Sequence, residues 1–230
     1  MKPTVSIAIE TSCRAGGLAL GRGNELIEAV RFDASCRHAT QLVGRLDELL
    51  ARTGLKPTDV DELYVSAGPG SFTGLRVGIT VARTMAQAIE GLRLVAVPTL
   101  RAVAENARPL SWQHLGVVMD ARDRTVYAGL FARRGDEIVP EGEPALADPR
   151  DFLARSPRPL LLIGEGLAFV EMAGTGIARA EPAVDLPTPQ GVWQVGRRLA
   201  AAGEFIDYRR LRPIYSRSPQ AERLAKDGCR

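Results

Sequence analysis

The sequence predicts an α/β protein assembled from two units that share one order of elements. Three observations support this. Each half of the 230-residue chain opens with short alternating apolar runs, and turn residues separate those runs. Helix-length segments then alternate with further short runs. The two halves share negligible sequence identity, so the duplication rests on element order alone.

In the first half, strands are predicted at 5–9, 17–20 and 26–32. Gly21, Gly23 and Asn24 punctuate the last two, as an antiparallel meander requires. A helix is predicted over 39–52, stopped by Gly54 and followed by Pro57. A strand at 63–67, a helix over 74–90, a strand at 94–97 and a helix after Pro98-Thr99 complete the unit. The second half begins near Leu110. It predicts strands at 115–119, 126–132 and 137–143, then a short helix opened by Asp148 and Pro149. A buried strand at 160–163 and a helix over 192–202 follow. Strands first, then alternating helix and strand, is a ribonuclease-H-like order, met here twice.

The chain is 45% hydrophobic and 25% charged, the balance of an ordinary globular protein with a substantial core. No secretory apolar stretch follows Met1-Lys2-Pro3-Thr4, and no run reaches the ~18 apolar residues of a membrane span. A cytoplasmic location without a membrane partner is therefore expected. Cys13, Cys36 and Cys229 are odd in number and lack CxxC spacing, so reduced thiols are expected rather than disulfides or structural zinc. The formal charge is only +3, and lysine occurs only at Lys2, Lys56 and Lys226. Arginine suits phosphate recognition, but coding bias toward arginine accounts equally for its excess. With 5% aromatic residues and no stacking motif, a direct RNA-binding module is disfavoured.

The richest local signal is Gly68-Pro69-Gly70-Ser71-Phe72-Thr73-Gly74-Leu75-Arg76, where a strand stops in a glycine turn and a helix begins. Backbone donors at such a helix start can hold an anion. The same residues also make a plain turn with Ser71 or Thr73 as cap, and both readings stay open. The Lys-Ser/Thr ending of a Walker loop is absent, and Ser71 lacks a Gly-x-Ser-x-Gly elbow. His38 and His114 are too far apart for an i, i+4 ligand pair, so no metal site is expected.

The helix after this turn carries one polar stripe (Arg76, Thr80, Arg83, Gln87) and two apolar faces. Leu75, Ile79, Ala82, Ala86 and Ile89 form the first; Val77, Val81, Met85 and Ala88 form the second, which needs another helix or a partner. Gly74, Gly78, Ala82 and Ala86 recur every four positions and permit close approach. On the 39–52 helix, Leu42, Val43, Leu46, Leu49 and Leu50 are expected to point inward. Thr40, Gly44 and Ala51, beside Asp47, offer small residues where a neighbour could dock.

Ile7-Ala8-Ile9-Glu10-Thr11-Ser12, the segment from His38 to Leu50, the Gly68–Arg76 block, and Met119-Asp120-Ala121-Arg122 with Val126-Tyr127 together resemble the TsaB family. Arg212-Pro213-Ile214-Tyr215 is similar to its C-terminal Pro-x-Tyr element. The resemblance implies two ribonuclease-H-like lobes of the actin/Hsp70/sugar-kinase superfamily, expected at 1–108 and 109–230, with the last helix packing back on the first lobe. It implies a non-catalytic subunit that binds a TsaD-like transferase in making threonylcarbamoyladenosine beside the tRNA anticodon. A TsaE-like ATPase would be a further partner, tRNA would be met through the complex, and isolated chains would form homodimers. The interface would use Thr40, Gly44, Asp47, Val77, Val81 and Met85.

The same resemblance marks Glu10, Thr11, Ser12, Gly70, Ser71 and Asp120 as a vestigial nucleotide site. Glu10 stands where relatives carry Asp to organise Mg²⁺, one methylene too long for a tight shell. Cys13-Arg14-Ala15 replace the expected hairpin glycine. No cofactor is assigned to the chain alone; an ATP or ADP site shared with a partner stays open. The rival reading is a small ATP-dependent phosphotransferase using Glu10, Asp120 and the Gly68–Gly74 turn.

Overall fold

The computed structural model describes residues 2–33, 38–121, 123–170 and 175–214. Cys36, Arg122, Tyr215 and Cys229 lie outside them. The chain begins with a meander of β1 (Val5–Glu10), β2 (Gly17–Arg22) and β3 (Glu25–Arg31). After α1 (His38–Arg52), β4 (Glu62–Gly68) pairs parallel with the free side of β1. Beyond α2 (Phe72–Ala88), β5 (Arg93–Pro98) pairs parallel with β4. The sheet order is β3-β2-β1-β4-β5.

The chain then crosses through α3 (Thr99–Ala104) into β6 (His114–Asp120), β7 (Val126–Arg134) and β8 (Glu137–Pro140). Next come β9 (Ala145–Ala147), α4 (Pro149–Arg155), β10 (Leu160–Ile163), β11 (Ile177–Arg179) and α5 (Pro189–Ala201). The second sheet runs β11-β10-β6-β7-β8, the first order read from the other edge, with β9 on β7. The predicted fold class holds: two ribonuclease-H-like sheets, each with its opening strand in the middle.

Alternation along β1 explains the layering. Val5, Ile7 and Ile9 face a core with Leu42, Leu46, Leu49 and Leu50 of α1 and Ile79 and Ala82 of α2. Ala8 faces the opposite core, where Tyr64, Val95 and Val97 meet Val192, Trp193 and Val195 of α5. Small residues set that second distance: a methyl at Gly21 would overlap the Trp193 ring, and one at Gly196 would overlap Tyr64. Trp193 Nε1 donates to Ser6 Oγ at 2.9 Å.

The predicted strand at 137–143 stops at Pro140. Gly142 is at φ +88, and the chain returns as β9 to the other half of β7. Between β6 and β7, Asp123 and Arg124 both adopt left-handed φ, the backbone of a tight hairpin turn. The crossing after α3 is pinned from several sides. Glu105 pairs with Arg108 and with Arg198 of α5. Asn106 Nδ2 donates to the carbonyls of Val184 and Leu186, while Arg133 donates to those of Ala107, Arg108 and Leu110.

Candidate functional site

Glu10 ends β1 and is wholly buried, as are Thr11 and, within 2% exposure, Ser12. The chain turns there because Glu10 Oε1 accepts from both Ser12 N–H at 2.5 Å and Ser12 Oγ at 2.6 Å. Ser66 on β4 supplies the other support, its Oγ accepting from Thr11 N–H at 3.2 Å. Neither Glu10 Oε2 nor Thr11 Oγ1 has a hydrogen-bond partner. Burial pushes the Glu10 carboxyl up to about 7, with the Ser12 bonds pulling the other way. Cys13 follows, its thiol raised to about 12 chiefly by burial, so it is an inert thiol.

The Gly68–Gly74 turn closes over these residues. Ser71 N–H donates to the Ser12 carbonyl at 2.6 Å, and Ser71 Oγ caps α2 by accepting from Gly74 N–H at 3.3 Å. Gly70, at φ +156, sits where a β-carbon would lie 2.5 Å from the Ser12 carbonyl oxygen. A methyl at Gly74 would overlap the Thr11 carbonyl, and one at Gly78 the Thr11 hydroxyl. The every-fourth small residues of α2 thus serve, at Gly74 and Gly78, close approach to the end of β1 rather than to another helix. Two of the donors of the turn, Ser71 N–H and Gly74 N–H, are thereby committed within the chain.

Asp120 ends β6, the strand that occupies in the second sheet the place of β1 in the first, and it is exposed. Acidic groups lie near it: burial raises the Glu165 carboxyl, and Asp120 and Asp185 add to the rise. Glu10, Thr11, Ser12, Gly70 and Ser71 therefore converge in one packed cluster, while Asp120 stands near Glu165, whose charge also acts on Cys13 beside that cluster. Among the described residues, no group of three His, Cys, Asp or Glu side chains is arranged to hold a metal.

The two helices on the outer face pack together. Val77, Val81 and Met85 are half-buried against the core that holds the α1 leucines, so the second apolar face of α2 is not an open patch. One correction concerns Val43, expected inward but 61% exposed. Thr40, Gly44 and Asp47 are exposed on α1, and a β-carbon on Gly44 would meet nothing within 4 Å. At the start of α2, Phe72 is 42% exposed with the Arg76 guanidinium 4.0 Å above its ring centroid. Sequence reasoning passed over Phe72 and Ser66. An aromatic four residues before an arginine at a helix start is the pattern that could have found the first.

The TsaD family model, described as tRNA N6-adenosine threonylcarbamoyltransferase, matches residues 32–226. The tRNA threonylcarbamoyladenosine biosynthesis protein TsaB of Bacillus subtilis is 29% identical over 94% of this chain and 95% of its own length. The protein of that name from Escherichia coli K12 is 26% identical over 92% and 94%. Among solved structures, YeaZ from Pseudomonas aeruginosa superposes with a TM-score of 0.78 at 23% identity, covering 92% of this chain and 99% of that one. The likeness in fold and the end-to-end likeness in sequence coincide: within the wider group that the TsaD model describes, the chain belongs to the TsaB family.

Proposed function

We propose that this chain is a non-catalytic subunit in the formation of N6-threonylcarbamoyladenosine beside the tRNA anticodon, acting by binding a TsaD-like transferase. Membership of the TsaB family supports a part in that biosynthesis. The observation that carries the non-catalytic reading is the closed packing over the end of β1. Ser71 N–H is spent on the Ser12 carbonyl, Gly74 N–H on the Ser71 hydroxyl, and Glu10 is sealed beneath them. Any ATP or ADP would then be shared with a partner, as would contact with a TsaE-like ATPase and with tRNA. The docking face would be the outer side of α1 and α2: Thr40, Val43, Gly44 and Asp47 with Phe72 and Arg76. Without its partner the same face would join two copies of the chain.

Val81→Asp and Met85→Asp are poor probes of this face, because both side chains pack on the core. Gly44→Glu and Phe72→Asp alter exposed positions instead. Co-purification with the organism's TsaD-like protein should give a stable complex with wild type and at least a tenfold weaker one with each variant, about 1.4 kcal/mol or more. Intact complexes with both variants would overturn the assigned face. ATP turnover by the isolated chain, abolished by Glu10→Ala, would overturn the non-catalytic reading and favour the phosphotransferase.

A further inference from the structure

We infer that Glu10 is a proton-operated latch joining the end of β1 to the start of α2. The inference needs no partner and stands apart from the proposed docking. A continuous path of hydrogen bonds links the two elements. Glu10 Oε1 holds Ser12 N–H and Oγ; the Ser12 carbonyl holds Ser71 N–H; the Ser71 hydroxyl holds Gly74 N–H. The other carboxyl oxygen, Oε2, is buried with no partner.

A neutral carboxyl tolerates this arrangement, with Oε1 accepting and the proton on Oε2. An ionised one is poorly held, because the Ser12 bonds, with smaller help from the Ser66 hydroxyl and Cys13 N–H, do not offset the burial of its charge. No nearby charge offsets this. Across from Glu10 on β2 stands Gly17; β4 offers Ser66, and α2 offers Gly74 and Gly78. On α5, Arg197 turns to Asn24 and Arg198 to Glu105. In the turn itself Cys13 stays a thiol, with Arg31 and Glu165 acting on it rather than on Glu10. Ionisation therefore calls for water at Oε2. The cover over it is the Gly70–Gly74 seam, which rests on backbone contact and small residues. Losing the proton loosens the seam, and the first turn of α2 loosens with it.

The test uses the full chain with ¹³C-labelled glutamate, the Glu10 carboxyl signal being identified by its loss in Glu10→Gln. The expected midpoint is near 7, against 4.5 for an ordinary glutamate. Amide exchange at Ser71 and Gly74, corrected for intrinsic rate, should lose about tenfold in protection between about pH 5.5 and pH 6.5 in wild type and level off above about pH 7. It should stay level in Glu10→Gln. Should that variant not fold, Ser12→Ala serves, since removing a donor to the charged form must move the midpoint higher. A midpoint near 4.5, level protection in wild type, an equal loss in Glu10→Gln, or an unmoved midpoint in Ser12→Ala would each overturn the latch.

Discussion

A single methyl group measures how closely α2 rides on β1. Gly78→Ala forces a β-carbon onto the buried Thr11 hydroxyl, and urea unfolding should show a loss of about 1–3 kcal/mol. Gly44→Ala is the matching control on α1. It enters open space and removes a flexible residue from a helix, so it should stabilise by about 0.5–1 kcal/mol. Glu10 makes the third prediction at this scale. Its folded value, about 7, lies above the unfolded 4.5, so its contribution is complete below about pH 4.5 and is lost as pH rises through 7. Unfolding at pH 5 and pH 8 should differ by about 2.5 kcal/mol more in wild type than in Glu10→Gln, with wild type the weaker at high pH.

Between elements, the Ser71 cap and the α1–α2 pair decide how the outer face is presented. Ser71→Ala removes the acceptor for Gly74 N–H and should lower stability by about 1 kcal/mol in thermal unfolding. Much of this layer was legible in the sequence because its signals are local. Alternating residues marked β1 and β4, while Gly54 and Pro57 marked the end of α1. What covered the second face of α2 was not legible. Two apolar stripes say that two neighbours exist, and only the fold reveals that one is α1. β11 escaped because three residues give no period to read, and β9 because it follows Pro140 and Gly142. The burial of Glu10 escaped for a related reason. A carboxylate at a strand end reads as polar until the glycines that close over it are placed.

For the molecule as a whole, the crossing between sheets is tied from both sides. Glu105 is 7% exposed and serves two arginines, one from α5. Glu105→Ala leaves both unpaired, and because their heads still reach solvent the expected loss is about 2 kcal/mol by urea unfolding. The duplication was legible from element order, whereas the destination of α5 depends on contacts distant along the chain. That destination has a consequence for synthesis. The face of the first sheet that bears Ala8, Tyr64 and Val95 is covered by a helix made after the whole second sheet. At ordinary translation rates the ribosome needs about 5–20 s to go from β5 to the end of α5. During that interval the amino-terminal half offers a greasy, unfinished surface to the cell, and chaperones that shield nascent chains have their longest opening there.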